Sequence, residues 1–434
     1  MGETSKLEPY VLYVEGLAEA ALNTGLDWYR GSVPQSLLDG EAGEALRKAI
    51  PLRVRRERGA FFTGSNLRAA ALAQWSNWHQ SLGPVLDPAV GAGDLLMEIA
   101  RHLPIEKDLE QTLRLWGSLL HGRDVEPSFV RLAKARLVLL AVARGAAAGT
   151  RIDDLVDVVL PEIKVGDGLK LLSRGWLGCH IVMNPPFTHS RAPKDICWTT
   201  GRTSVAGLFL ASAVQGAQAG TSLTAILPDV IRSGSRYQRL RNLVGNHLHV
   251  SAAEKYGRFD EWTDVDVFIL RGVIAPSTSG ESTQRWWDST AGKVLGEVFD
   301  VRVGTVVPHR DPESGPLLPY LHARAIPLGG EFDVAGARPR GFQKRSFEPP
   351  FVVVRRTSRP GDKSRGTGTV ICGKSGVFVE NHLIVLSPRN GSIETCRSVV
   401  QVLSSPEAKL WLDERIRCRH LTVQALREMP WFNV

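Results

Sequence analysis

Apolar and polar positions alternate along this chain in two regimes. From about residue 80 to 272, short apolar runs are separated by longer segments whose apolar residues recur at helical spacing. The runs predict strands at Val85 to Leu86, Leu119 to Gly122, Ile163 to Val165, Ile181 to Met183, Leu223 to Leu227, His249 to Ala253 and Val265 to Leu270. The segments PSFVRLAKARLVLLAVARGAA and GLFLASAVQGAQAG predict two of the helices between them. Strands alternating with helices predict an α/β fold built on a mostly parallel sheet with crossover helices. Residues 1–50 carry helical patterning (LAEAALNTGLDWYR, LLDGEAGEALRKAI) and read as a helical N-terminal extension. The stretch APSTSGESTQ at 275–284 is polar and reads as a linker. From about 290 the pattern becomes Gly- and Pro-rich strands and turns, closed by a helical TCRSVVQVLSSPEAKLWLDERI. Three regions are therefore expected: 1–50, a second of 51–274, and a C-terminal mixed α+β region of 290–434.

Length and charge narrow the class. A chain of 434 residues is too long for one small core. Hydrophobic residues at 43% and charged residues at 23% are ordinary for a globular protein in water. No apolar run approaches a membrane span, and MGETSKLEPY lacks a signal region, so the cytoplasm is the expected location and no membrane partner is expected. Five scattered cysteines with no CxxC pair predict neither a disulfide scaffold nor a metal site. The net charge of +8 is unevenly placed, because residues 301–434 hold 20 Lys and Arg against 12 Asp and Glu. That distribution fits a polyanion-binding module attached to a neutral body, and equally a solvated basic surface.

The chemistry concentrates where predicted strands end. In IVMNPPFTHS (181–190) a buried-looking strand stops at two prolines, leaving the Asn184 amide and the Phe187 ring beyond its carboxyl end. LDPAVGAGDLL (86–96) is a strand, a glycine-punctuated loop and a helix start, suited to close approach by a ligand. Asp124 in HGRDVEP ends the next strand, where a carboxylate commonly meets ribose hydroxyls. Asp167 in KVGDGL ends the third, and by itself is an ordinary helix cap. Together these groups suit a cofactor that contains adenosine.

GAFFTG, DPAVGAG and NPPF, in that order, resemble the gamma class of S-adenosylmethionine-dependent DNA amino-methyltransferases, the NPPF enzymes of restriction-modification systems. The resemblance covers residues 55–272 motif by motif and the C-terminal part in general character. It implies a Rossmann-like class I methyltransferase domain with a seven-stranded sheet, followed by a DNA target-recognition domain. It implies S-adenosylmethionine as cofactor, bound by Phe61, Phe62, Thr63, Asp87, Ala89, Gly91, Asp124, Val125, Asp167, Gly168 and Asn184. Phe61, Phe62 and Thr63 would lie near its methionine end, Asp124 at the ribose and Asp167 at the adenine. Catalysis falls to Asn184, Pro185, Pro186 and Phe187. The Asn184 oxygen and the Pro185 carbonyl would accept both N–H bonds of an adenine amine, leaving nitrogen more electron-rich as it attacks the sulfonium methyl. The base must leave the duplex stack, with Phe187 stacking on it. Two departures stand out: Gly64, where the family commonly has proline, and Cys179-His180, where it often has an aromatic-Asp pair.

In LTAILPDVIRSGSRYQRLRNLV (223–244), Pro228 and Asp229 would shape the target pocket, while Arg232, Arg236, Arg239 and Arg241 are candidate phosphate contacts. Between Arg338 and Lys374 ten Lys and Arg stand against two acids, interleaved with Phe342, Phe347 and Phe351. Arg340, Lys344, Arg345, Arg355, Arg356 and Lys374 are the DNA-binding candidates there. The expected partner is double-stranded DNA, with a restriction endonuclease or a defence-complex subunit as a further protein. The NPP hook fits any planar amine, so cytosine N4, an RNA base or a protein glutamine stay open beside adenine N6. A cofactor-binding DNA-recognition subunit that acts only within a complex is the alternative of another class.

Overall fold

The computed structural model describes residues 6–23, 33–73, 83–146, 155–277, 286, 292–417 and 419–432. The chain divides into two compact units, Met1–Ile231 with Tyr237–Gln284, and Arg232–Arg236 with Arg285–Val434. The predicted linker at 275–284 and Cys418 fall mostly or wholly outside the described residues.

The first unit is built on seven strands: β1 (Val85–Asp87), β2 (Leu120–Asp124), β3 (Ile163–Val165), β4 (His180–Met183), β5 (Ser222–Pro228), β6 (Leu248–Arg258) and β7 (Asp266–Ile274). They lie in the order β3-β2-β1-β4-β5-β7-β6. The first five pair parallel, whereas β7 is antiparallel to both β5 and β6. Each run predicted from the sequence is a strand here. β1 is buried at every residue, as expected of a strand covered on both faces. The chain order reverses between β2-β1 and β4, so the loops leaving β1 and β4 flank the crevice where open α/β sheets bind ligands.

The helices that precede or separate the first strands include α1 (Glu8–Asn23), α2 (Gln35–Leu38), α3 (Glu41–Ala49), α4 (Leu52–Arg58), α5 (Ser65–Leu72), α6 (Asp94–Ala100), α7 (Leu109–Leu119) and α8 (Pro127–Ala143). The N-terminal segment read as an extension shares one core with the sheet. Leu7, Val11 and Val14 of its start and Leu37 and Leu46 further on are buried with Leu95, Leu137 and Val182. Arg131 on α8 adds ion pairs to Glu8 and Glu15.

The second unit holds a five-stranded sheet with strands ordered 299–303, 383–388, 351–355, 368–372 and 331–333. Helices Ile393–Ser404 and Pro406–Arg415, expected from the closing segment, cover it through Cys396, Val399, Leu403, Ala408 and Leu412. The continuous apolar runs in FVVVR and LIVLSP, buried at nearly every position, supply its core, as β-branched residues suit a pleated sheet. Among the described residues no helix is long and apolar enough to cross a membrane, and no three His, Cys, Asp or Glu cluster as metal ligands.

Candidate active site

Four chain segments of the first unit meet at the carboxyl ends of β1, β2 and β4. The loop after β1 turns on Gly91 (φ 51°) and Gly93 (φ 84°), backbone values that side chains with a Cβ rarely adopt. A Cβ on Gly93 would come within 3.2 Å of the α8 backbone at Ala133, so a larger residue there would strain the loop and crowd it against α8. Asp87 is fully buried, and its Oδ1 accepts the Ala89 N–H at 3.1 Å. Asp124 accepts from Gly91 N–H at 3.0 Å and Glu126 N–H at 2.9 Å. Its pKa is raised, chiefly by burial. Beside that carboxylate Val125 is 71% exposed. Asp167 caps the helix Gly168–Arg174 by accepting from Leu169 and Lys170 N–H, which is the ordinary role the sequence allowed. Gly168 packs so closely on the β1 loop that a Cβ there would meet the Pro88 carbonyl oxygen at 1.8 Å.

Burial, opposed by the Ala89 N–H and reinforced by Asp124 and Asp94, pushes the Asp87 carboxyl up to about 8. The folded chain therefore holds this proton more tightly than the unfolded chain, whose carboxyl titrates near 3.8. Stability from this site is complete below that lower value and is lost as pH rises toward about 8. Asp87→Asn keeps the acceptor and cannot ionise. In urea unfolding it is expected to gain on wild type from pH 5 to 8 and hold that gain above 8. An advantage that stays constant across this range would refute the assignment.

The GAFFTG element runs from α4 into α5. Gly59 ends α4 at φ 68°, and a Cβ there would lie 2.4 Å from the Pro186 Cβ. Only glycine meets both demands, so GAFFTG lies directly against NPPF. Gly64 has φ −64°, the angle a proline would impose, so glycine here follows a backbone path that proline could also take. Thr63 is buried, and its Oγ1 accepts the Asn184 Nδ2–H at 2.9 Å. Thr63 N–H in turn donates to Asp94 Oδ2 at 2.9 Å. Arg136, buried in the middle of α8, donates to Asp94 Oδ1 at 2.9 Å, Ala92 O at 2.6 Å and Leu37 O at 3.0 Å. Arg68, equally buried, bridges Asp39 and Glu98 at 2.7 and 2.8 Å.

Half-buried Phe187 meets Phe259 edge to face with centroids 5.5 Å apart, and Phe259 meets Phe61 at 6.2 Å. Phe62 packs on Phe129 at 5.0 Å. The hairpin carrying Phe259, read from the sequence as structural, therefore contributes an aromatic ring to the NPPF wall. Asp94, Arg136 and Phe259 were not identified from the sequence. A signal existed for Arg136, a cation inside an apolar helix that must find acceptors if buried.

The second unit distributes its basic residues unevenly. Arg232 is not a free phosphate contact, since its side chain is buried and donates to Glu414 O at 2.9 Å. Arg355 likewise donates to Ile326 O at 2.9 Å. Arg340 pairs with Glu313 at 3.0 Å and lies over the Tyr320 ring, while Lys344 pairs with Asp311 at 3.0 Å. Arg236, Arg345 and Lys374 are exposed, and Arg356 is half-buried. Phe342, Phe347 and Phe351 are core residues, so they are not an interleaved surface for bases. In the first unit, buried Arg241 on the helix Gln238–His247 donates at 2.8 Å to the carbonyl of Ile231 in the preceding helix Asp229–Ser233.

No protein-family model matches the chain. Among solved structures it is similar to the type IIL restriction-modification enzyme MmeI in complex with DNA, with a TM-score of 0.52 and 12% identity over 89% of this chain and 70% of MmeI. It is also similar to DrdV in a DrdV–DNA complex, with a TM-score of 0.50 and 11% identity over 93% of this chain. It spans 59% of the DrdV chain. The fold is thus a Rossmann-like α/β domain with a mostly parallel seven-stranded sheet and a mixed C-terminal region, as expected from the sequence.

Proposed function

We propose that this chain is a DNA methyltransferase that uses S-adenosylmethionine and methylates the N6 of an adenine flipped out of duplex DNA, in a restriction-modification setting. The observation that carries the reading is the Asn184–Thr63 hydrogen bond at 2.9 Å beneath the Phe187–Phe259–Phe61 wall. It unites GAFFTG and NPPF, 121 residues apart, at the edge that also carries Asp87 and Asp124. The similarity to MmeI and DrdV, both seen with DNA, supports the choice of substrate.

The residues fit the donor. The carboxyl groups of Asp87 and Asp124, the exposed face of Val125 and the close approach at Gly168 suit the hydroxyls and ring of an adenosine moiety. When bound, S-adenosylmethionine supplies an electrophilic methyl on a sulfonium. Asn184 Nδ2 is engaged by Thr63, which leaves Oδ1 as the atom that accepts from the target amine. Pro185 has no N–H and offers only its carbonyl as a second acceptor. Two acceptors on one amine localise its lone pair and stabilise the charge that develops on nitrogen. Phe187 and Phe259 form the apolar wall for the flipped base, whose removal from the stack costs a few kcal/mol. The test is methyl transfer to duplexes that contain only one kind of methylatable amine.

The proposed boundaries remain 51–274 for the catalytic domain, with residues 1–50 built into its core, and 290–434 for target recognition. Arg236, Arg345 and Lys374 are the exposed candidates for phosphate. Arg345→Ala and Lys374→Ala are expected to weaken binding to all duplexes alike and to lower the salt slope by about one for each phosphate no longer neutralised. Equilibrium binding between about 50 and 200 mM salt reads this directly, because a protein that neutralises about 6–10 phosphates weakens by orders of magnitude over that range. Unchanged slopes in both variants would remove these residues from the interface.

A further inference from the structure

We infer that Arg136 and Asp94 are positioning residues that fix the orientation of the Asn184 amide, acting through Thr63. The inference rests on the proposed role of Asn184 as acceptor of the substrate amine. An asparagine amide is nearly symmetric in shape, so the chemistry needs a partner that distinguishes its oxygen from its nitrogen. Thr63 Oγ1 engages the nitrogen by taking the Nδ2–H at 2.9 Å; a hydroxyl can donate as well as accept, so this choice depends on where Oγ1 is held.

The position of Thr63 is set by its own N–H, which donates to Asp94 Oδ2 at 2.9 Å. The other Asp94 oxygen accepts from Arg136 Nη1 at 2.9 Å. Arg136 is fixed by the carbonyls of Ala92 in the glycine loop and Leu37 in α2, at 2.6 and 3.0 Å. Thr63 and Asp94 are 6% exposed and Arg136 is fully buried, so water does not replace any link. In so dry a setting such links reinforce one another. The planar guanidinium fork reaches three acceptors at once, which a lysine ammonium on the same helix does not. A leucine at 136 would continue the apolar face of α8 at lower desolvation cost, so the buried arginine is accounted for by what it holds.

The test uses the full chain and four variants: Thr63→Val, Thr63→Ser, Arg136→Lys and the double variant of Thr63→Val with Arg136→Lys. The readouts are kcat, KM for duplex DNA, calorimetric S-adenosylmethionine binding and amide exchange across residues 59–65. Thr63→Val is expected to lower kcat about 10-fold with KM changed less than about two-fold, and Thr63→Ser to restore it. Arg136→Lys is expected to lower kcat similarly and to speed exchange of the Thr63 amide. The double variant should lose no more than the worse single variant, because both act on one link. Multiplying losses, a Thr63→Ser variant as poor as Thr63→Val, or Arg136→Lys with wild-type kcat and exchange would each overturn the inference. A wild-type chain that methylates no nucleic-acid amine would instead defeat the functional reading. Exchange at Thr63 in Arg136→Lys then decides the positioning link alone, faster exchange supporting it and unchanged exchange overturning it.

Discussion

Asn184→Ala is expected to slow methyl transfer severely while leaving the fold and donor binding intact. The substitution removes the acceptor oxygen and the Nδ2–H that engages Thr63, but the backbone is held by Pro185, Pro186 and the close approach of Gly59. Loss of one preorganised partner for developing charge lowers kcat by about 100- to 1,000-fold. Because β4 and the Asp87–Asp124 edge are untouched, S-adenosylmethionine affinity should stay within about three-fold of wild type. Rapid-quench transfer and calorimetric binding measured on the same preparation separate the two effects. A variant that binds no donor would mean that Asn184 belongs mainly to the cofactor pocket. One that transfers at the wild-type rate would mean that the amine is held elsewhere.

Arg136→Met is expected to carry the largest stability cost in the first unit. Methionine approximates the length of the side chain but leaves the Asp94 carboxylate, 6% exposed, without its bonded cation. Arg68 Nη1 stays 3.7 Å from the same oxygen, an ion pair without a hydrogen bond, while its other nitrogens serve Asp39 and Glu98, so the carboxylate keeps one cation nearby but loses its bonded one. Breaking one side of a buried pair costs about 3–5 kcal/mol, because the remaining charge stays desolvated. The Leu37 and Ala92 carbonyls lose their donor as well. Arg131, near the start of the same helix and 39% exposed, pairs with Glu8 and Glu15 at the surface. Arg131→Met is expected to cost about 1 kcal/mol or less, since water screens such pairs. Urea unfolding of the two variants distinguishes these environments. Equal losses would show that burial is not what gives the Arg136 pair its weight.

The sheet was legible in the sequence because its signal is local. Runs such as Ile181–Met183 and Leu223–Leu227 between turn residues mark buried strands without reference to their partners. Boundaries were less accurate: β6 runs on to Arg258 past the predicted Ala253, since its register shifts and polar positions hide the period. The motifs at 59–64, 86–96 and 184–187 were legible because proline and glycine leave a backbone signature. Asp94 and Arg136 were not, since their pairing spans 42 residues and depends on how α8 docks on the loop. Phe259 was missed for the same reason, as one aromatic in an ordinary hairpin. Charge misled in the second unit. Arg355 serves a carbonyl at 2.9 Å and Phe351 fills the core, although their spacing matches a nucleic-acid surface.

The central claim is that Asn184 presents an adenine amine to the methyl donor. Its most direct test is nucleoside analysis of duplex DNA incubated with methyl-labelled S-adenosylmethionine and either the wild-type chain or Asn184→Ala. The expected result is label in N6-methyladenine with the wild-type chain and almost none with the variant. Label in N4-methylcytosine, in RNA or in protein, or adenine methylation that persists in Asn184→Ala, would contradict it.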